Sequence, residues 1–167
     1  MKKIYSFVAA LVVAMVVLAS CGASSAYQAQ LDAAKKAVEA QDANTAFAKV
    51  QEIISGDKVT ADDAVIATMY ALNAYAIESQ KANGQLDPAT NLDLCKKVVA
   101  AYNKAKSFPE ADVNKINEAL KVASGNDVMA TAGAYAQNIP TLEQAIQAAA
   151  QAAEAAAEEG DAEEEAE

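Results

Sequence analysis

The sequence predicts an all-α protein: a bundle or stack of about six to seven antiparallel helices between residues 27 and 153. Three observations indicate this fold class. Alanine, the best helix former, supplies much of the 53% hydrophobic content, whereas aromatic residues make up only 5%. Apolar residues recur every three or four positions in each segment of the domain. Capping residues, glycine or proline stand between these segments.

The first two predicted helices form a hairpin. The first, from about Tyr27 to Ala40, has one apolar stripe: Tyr27, Leu31, Ala34 and Val38. The second begins after Asp42, a good N-cap residue, and ends at Gly56. Its apolar side consists of Ala46, Phe47, Val50, Ile53 and Ile54. Because only a few residues join the two helices, we expect them to pack antiparallel.

The third and fourth helices are predicted to be longer, at about 20 residues each. Thr60 to Asp63 begins the third, which runs to about Lys81 before Asn83-Gly84. Its broad apolar side indicates a central helix with neighbours on two sides: Val65, Ile66, Met69, Tyr70, Leu72, Ala76 and Ile77. Asp87 and Pro88 begin the fourth as cap and first-turn proline. Its stripe is Leu94, Val98, Ala101 and Ala105, flanked by Cys95, Val99 and Tyr102.

The fifth predicted helix begins at a capping box formed by Ser107 and Glu110, and Gly125 ends it. Its apolar side consists of Val113, Ile116, Leu120 and Ala123. Asn126 or Asp127 is then expected to start a shorter helix that reaches about Asn138.

We expect Pro140 to break the chain and Thr141 to cap a last helix. Its inward side is predicted to be Leu142, Ile146, Ala149 and Ala153. Residues 154–167 contain eight acids and no base, which predicts a disordered acidic tail after the helical domain of residues 27–153.

The charge and composition of the chain argue against a nucleic-acid partner and against sites built on arginine or histidine. The formal charge is −10, and residues 21–153 alone carry −4. An acidic chain lacks the clustered cations that bind a phosphate backbone, so we expect no nucleic-acid partner. There is no arginine for bidentate recognition of phosphate, and there is no histidine for a triad or a metal site.

The N-terminus has the pattern of an export signal. Lys2 and Lys3 precede an apolar run over residues 4–18, which is shorter than the roughly 20 residues of a spanning helix. The run ends in Leu18-Ala19-Ser20-Cys21, and this tetrapeptide resembles the lipobox of bacterial lipoproteins. Ordinary secretion with a chance cysteine, or an uncleaved anchor, are the alternatives.

The lipobox resemblance implies a signal peptide over residues 1–20, cleavage before Cys21, and acylation of the Cys21 thiol. Residues 21–26 would then be a lipidated tether between the membrane and the domain. Two or three acyl chains would hold the protein permanently on membrane lipid. Gly22, where many inner-membrane lipoproteins have aspartate, favours the outer membrane of the cell envelope.

A second, partial resemblance concerns the first hairpin. Ala43, Phe47 and Val50 have the spacing found in the second helix of a tetratricopeptide repeat. The expected glycine and the closing proline are absent, and no clean repeat follows. A plain helical bundle and a degenerate stack of hairpins therefore both remain open.

No catalytic, cofactor-binding or metal-ligating residue is assigned, and Cys21 is the one assigned site, for lipidation. Cys95 is expected to be buried and inert, the alternatives being a reactive thiol and an intermolecular disulfide. Asp62, Asp63 and Glu143 are expected to stabilise helix N-termini rather than to catalyse. Five tyrosines are expected either to fill the core or to form a platform for a ligand: Tyr27, Tyr70, Tyr75, Tyr102 and Tyr135.

These observations favour a non-catalytic, membrane-anchored envelope lipoprotein whose helical surface binds another envelope protein. The alternative is a small-molecule or glycan-binding lipoprotein in nutrient uptake, which requires a concave pocket lined by tyrosines and polar residues. An enzyme would require converging carboxyl groups, or a carboxyl group and a lysine, in a cleft. A purely structural role is the remaining class.

Overall fold

Six α-helices and no strand make up residues 25–164, the part of the chain described by the computed structural model, with side chains described for residues 25–153. The all-α prediction is confirmed. The helices are α1 (Gln28–Glu39), α2 (Ala43–Ile54), α3 (Ala61–Lys81), α4 (Pro88–Lys106), α5 (Glu110–Ser124) and α6 (Val128–Glu164). Cys21 and the predicted signal peptide lie outside the described residues.

The core is built around α3, as its broad apolar side predicts. Two thirds of its residues are buried, and all five other helices contact it. Alanines such as Ala64, Ala67 and Ala71 are fully buried and let the neighbouring helices approach α3 closely. The largest side chains that are fully buried in this core are Ile53, Met69, Leu72 and Leu120.

Local capping signals place the starts of α2, α3 and α4 correctly. The Asp42 carboxylate accepts a hydrogen bond from the Thr45 backbone N–H at 3.1 Å. Thr60 and Asp63 form a reciprocal capping box at the start of α3. Asp87 caps α4, with Pro88 in the first turn. These side chains satisfy N–H groups that have no partner within the helix.

The predicted capping box at Ser107 and Glu110 is wrong. The Ser107 hydroxyl donates instead to the Lys104 carbonyl oxygen at 2.7 Å, and so it finishes α4. Helix α5 begins after Pro109 without a side-chain cap. The prediction for its other end is confirmed, because Gly125 adopts a φ of 74° after the last turn.

The predicted break at Pro140 and the cap at Thr141 are also wrong. Helix α6 runs through Pro140 without interruption and continues to Glu164, so the backbone is helical beyond Glu154 as well. The packing of α6 against α4 on both sides of the proline accounts for this continuity, because tertiary contacts override a local breaker.

The inward side predicted for the last helix is only partly correct. Leu142 and Ile146 are half-buried, whereas Ala149 and Ala153 are exposed, as are all described side chains after Ile146. The alanine stripe therefore extends past the bundle instead of packing into it.

Three contacts fix the directions of the long helices. The Tyr75 hydroxyl of α3 donates to Asn91 Oδ1 of α4 at 2.8 Å. This contact joins the last part of α3 to the first part of α4, as expected for two antiparallel helices. Lys96 of α4 pairs with Glu143 of α6 at 2.9 Å, while Tyr102 lies against Gly133. Helix α4 is therefore antiparallel to both α3 and α6, and α4 ends where α6 begins.

Helix α5 joins these two points and stays at that end of the bundle. We call this end, with residues 25–27, 55–60 and 107–127, the α5 end. The start of the domain belongs to it because the Lys58 backbone N–H, just before α3, donates to the Tyr27 hydroxyl at 3.4 Å. The opposite end consists of the turns at residues 40–42 and 82–87.

Candidate functional site

An open groove lies along α5 where this helix diverges from α4 and α6. Helix α5 packs mainly on α3 through Val113, Ile116 and Leu120, and it touches α4 and α6 only sparsely. The space left between them has a volume of about 650 Å³. This lies within the range of roughly 300–1,000 Å³ that is usual for ligand sites.

The two walls of the groove differ in chemistry. The α5 wall presents Glu110, Asn114 and Glu118, which are spaced by one helical turn and are all exposed. The opposite wall, from α4, the following loop and α6, is mainly apolar at its base: Tyr102, Phe108, Met129 and Ala130, with Lys106 at the rim. The groove therefore combines an apolar base with charged edges.

A polar clasp closes one end of the groove and holds α5 to α6. The buried Asn117 amide donates to Asp127 Oδ1 at 2.9 Å and accepts from the Met129 backbone N–H at 3.0 Å. Asp127 also accepts from the Ala130 N–H at 2.9 Å, and its carboxylate lies 3.4 Å from Lys121 Nζ. The Ala130 and Asn117 hydrogen bonds lower the pKa of Asp127, and Lys121 adds to this effect.

The opposite wall is organised around Tyr102. Lys106 Nζ lies 5.4 Å from the centre of the Tyr102 ring, in a cation–π arrangement. A Cβ at Gly133 would lie 3.3 Å from the Tyr102 hydroxyl oxygen, so this glycine gives the ring room beside α6. Tyr102 is half-buried, and part of the ring forms the wall of the groove.

The other tyrosines mostly pack in the core. Tyr70 is 5% exposed, and burial strongly raises the pKa of its hydroxyl. Tyr75 and Tyr135 form an edge-to-face pair with centroids 4.6 Å apart, and burial raises both of their pKa values. Tyr27 packs on the loop at Gly56. Of the five tyrosines, Tyr102 is the one that lines the groove described above.

Cys95 is buried, as predicted, with 1% of its surface exposed. Its thiol faces Asn91 Oδ1 at 3.6 Å, and burial raises the pKa of the thiol. A thiolate is therefore disfavoured, and Cys95 lacks the environment of a reactive cysteine.

The acidic residues singled out in the sequence serve helix structure or surface ion pairing. Asp63 belongs to the α3 capping box, and Asp62 lies in the same first turn. Glu143 lies within the continuous α6, not at a helix start, and pairs with Lys96. The expectation that Glu143 stabilises an N-terminus is therefore wrong.

Comparison with protein-family models, with curated proteins and with solved structures finds no match for this chain. Among the described residues, no group of three or more histidine, cysteine, aspartate or glutamate side chains is placed to hold a metal ion. No helix of the described range has the length and hydropathy needed to cross a bilayer.

Sequence reasoning did not identify the groove, because its existence depends on the direction in which α5 crosses the bundle. One local signal was present. Asn117 occupies a position on the apolar side of α5, between Val113 and Leu120, where a polar side chain needs a specific partner. That partner, Asp127, belongs to the groove.

Proposed function

We propose that this protein is a non-catalytic lipoprotein of the cell envelope, anchored through acylated Cys21, whose helical domain binds another envelope protein through the groove along α5. The anchor rests on the lipobox-like Leu18-Ala19-Ser20-Cys21 and the apolar run before it. Gly22 favours the outer membrane. The observation that carries the binding role is the groove, because it combines an apolar base with charged edges.

The polar groups of the groove suit a protein surface better than a small ligand. Asn117 and Asp127 are already engaged in the clasp, and Lys106 lies over the Tyr102 ring. The polar groups left for a ligand are those of the exposed wall of α5, notably Glu110 and Asn114. Small-molecule sites enclose most of the ligand and fix it with a few inward polar groups, whereas protein interfaces have an apolar centre and a polar rim.

The carboxyl groups at the groove also favour binding over catalysis. Asp127 is held by three hydrogen-bonding or charged neighbours, and Glu118 lies 3.6 Å from Lys121. A general acid or base has to be free to exchange a proton with a substrate. The Asp127 carboxylate is engaged in holding α5 to α6, and Glu118 pairs with Lys121 within α5.

The anchor is tested by intact-mass analysis of protein extracted from membranes. The native chain is expected to start at Cys21 and to carry the mass of its acyl chains. The Cys21→Ser variant is expected to lose both the added mass and the membrane association. An unacylated native chain in the soluble fraction would refute the anchor.

The binding role is tested with a photoreactive amino acid at Asn114, in the groove, and at Asn103, an exposed α4 residue outside it. Irradiation of whole cells is expected to give one reproducible adduct from position 114 and none from position 103. Mass spectrometry identifies the partner, and Tyr102→Ala is expected to weaken the adduct. Equal adducts at both positions, or none at 114, would refute the proposed interface.

A small-molecule or glycan-binding role is the second candidate, and the observation that favours it is that Tyr102 and Asn114 line the same groove. Aromatic rings with neighbouring amides form the usual surface for a sugar. Titration of the unlipidated Cys21→Ser protein with an oligosaccharide panel, followed by tyrosine fluorescence, separates this candidate. Binding that Tyr102→Ala abolishes would replace the protein partner with a glycan.

A further inference from the structure

Residues 107–127, which contain α5, leave the bundle and return to it at nearly the same place. Helix α4 ends where α6 begins, and these two helices pack directly on each other. Tyr102, near the end of α4, lies against Gly133, near the start of α6. The segment between them can therefore move away from the bundle without displacing either neighbouring helix, as a surface loop with adjacent ends can.

The other helices hold one another without α5. Tyr75 of α3 donates to Asn91 of α4, and its ring packs edge-to-face on Tyr135 of α6. Lys96 of α4 pairs with Glu143 of α6. Helices α1 and α2 complete this assembly by packing on each other and on α3. Five helices are therefore joined by contacts in which α5 takes no part.

The attachment of α5 to this assembly is small. Val113, Ile116 and Leu120 pack on α3, whereas contact with α4 and α6 is sparse. The helix begins after Pro109 without a side-chain cap, and it ends at Gly125. Segments with few buried contacts open at a lower free-energy cost than the core of a protein does.

The clasp is the polar attachment of α5. The side-chain hydrogen bonds from α5 across to α6 and its cap come from Asn117 and Lys121, and they end on Asp127 and the Met129 N–H. Asn117 is only 5% exposed, so its bonds are shielded from water. Both donor residues belong to the second half of α5, and breaking their bonds leaves the helix held by its apolar side alone.

We infer that residues 107–127 open from the bundle as one unit, with the clasp as the latch, while the other five helices stay folded. Opening turns the groove along α5 into a wider apolar cleft, because the buried side of α5 and the part of α3 beneath it become accessible. The groove in the structure is the closed form of this cleft. The inference depends neither on acylation of Cys21 nor on a partner.

The opening is tested by native-state hydrogen exchange with mass spectrometry, on the full chain carrying Cys21→Ser, in low concentrations of urea. The backbone amides of residues 113–124 are expected to exchange together, at least about tenfold faster than those of residues 65–77 in the middle of α3. Equal protection of the two segments, or fast exchange confined to the ends of α5, would overturn the inference.

A core variant separates opening of α5 from unfolding of the whole domain. Ile53 is fully buried in α2, and Ile53→Val removes one carbon from the core outside α5. Exchange in α3 is expected to become about three- to tenfold faster, because α3 exchanges when the whole domain unfolds. Exchange in α5 is expected to stay unchanged, since position 53 remains packed when α5 opens. The same acceleration in both helices would show that they unfold together and would overturn the inference.

A clasp variant tests the latch. Asn117→Ala removes the bonds to Asp127 and to the Met129 N–H, and it is expected to speed exchange in α5 about tenfold or more. Circular dichroism checks that the helical content is kept. Unchanged exchange in α5 would show that the clasp is not the latch. If this variant does not fold, the Ile53→Val comparison decides the opening by itself.

Discussion

Replacing Asn73 by leucine should stabilise the domain. Asn73 lies in the middle of α3 and is fully buried. Its amide group donates to the Met69 carbonyl oxygen at 2.9 Å, but its Oδ1 atom accepts no hydrogen bond from the described residues. A buried polar atom without a partner costs about 1–3 kcal/mol, because its hydration is lost and not replaced.

The leucine side chain has the same number of heavy atoms as asparagine and requires no partner. The Met69 carbonyl keeps its ordinary helical bond from the backbone N–H of residue 73, so the change leaves no new unpaired group. We therefore expect Asn73→Leu to raise the free energy of unfolding by about 1–3 kcal/mol. For a domain of this size, each kcal/mol corresponds to an increase in Tm of about 3 °C.

The assay is urea unfolding followed by circular dichroism, with both proteins carrying Cys21→Ser so that neither is acylated. Thr68→Val is the matched control, because Thr68 is equally buried in α3 but its hydroxyl already donates to the Ala64 carbonyl at 2.8 Å. This control should change stability by less than about 1 kcal/mol. If Asn73→Leu lowers stability, or gains no more than Thr68→Val, the unpaired oxygen carries no cost and the reasoning fails.

Three further predictions concern the clasp, the thiol and the proline. Asp127→Ala should lower the free energy of unfolding by about 0.5–2 kcal/mol at neutral pH, since it removes the cap of α6. Because the pKa of Asp127 is lowered in the folded state, this contribution is complete above the ordinary aspartate pKa and is lost as the pH falls through the lowered value. Urea titrations of both proteins at neutral and acidic pH should show the difference shrinking in acid, and a difference that grows there would contradict the assignment. Cys95 should react with a disulfide reagent far more slowly in the folded protein than in urea, and equal rates would contradict its burial. Pro140→Ala should stabilise α6 by at least about 1 kcal/mol, measured by thermal unfolding, because it restores a helical N–H, and a loss of stability would show that the proline is needed there.

The sequence was informative at three helix starts and for the central helix. Asp42, Asp87 and the Thr60–Asp63 pair lie at the helix starts that they predict, because a cap bonds to N–H groups two or three positions away. The apolar pattern of α3 likewise identified the central helix.

One local hydrogen bond and two features that depend on distant contacts were missed. The Ser107 hydroxyl donates to a carbonyl oxygen at the end of the preceding helix instead of accepting from an N–H group of the following helix. The residue types at positions 107 and 110 do not distinguish these two arrangements. Pro140 would end an isolated helix, but α4 holds α6 on both sides of it. The groove likewise follows from the crossing direction of α5, which the clasp between Asn117 and Asp127 fixes.

The uninterrupted α6 places the acidic residues 154–167 far from the α5 end, where the described chain begins. It starts at the α5 end and has 37 residues, so it is about 55 Å long. The eight acids of residues 154–167 begin 26 residues along this rod, about 39 Å from its start, which is several times the Debye length of about 8 Å at physiological salt. Anionic headgroups near the tether would exert almost no repulsion on these carboxylates, and a strongly negative tip can coexist with an anchor in a negatively charged leaflet.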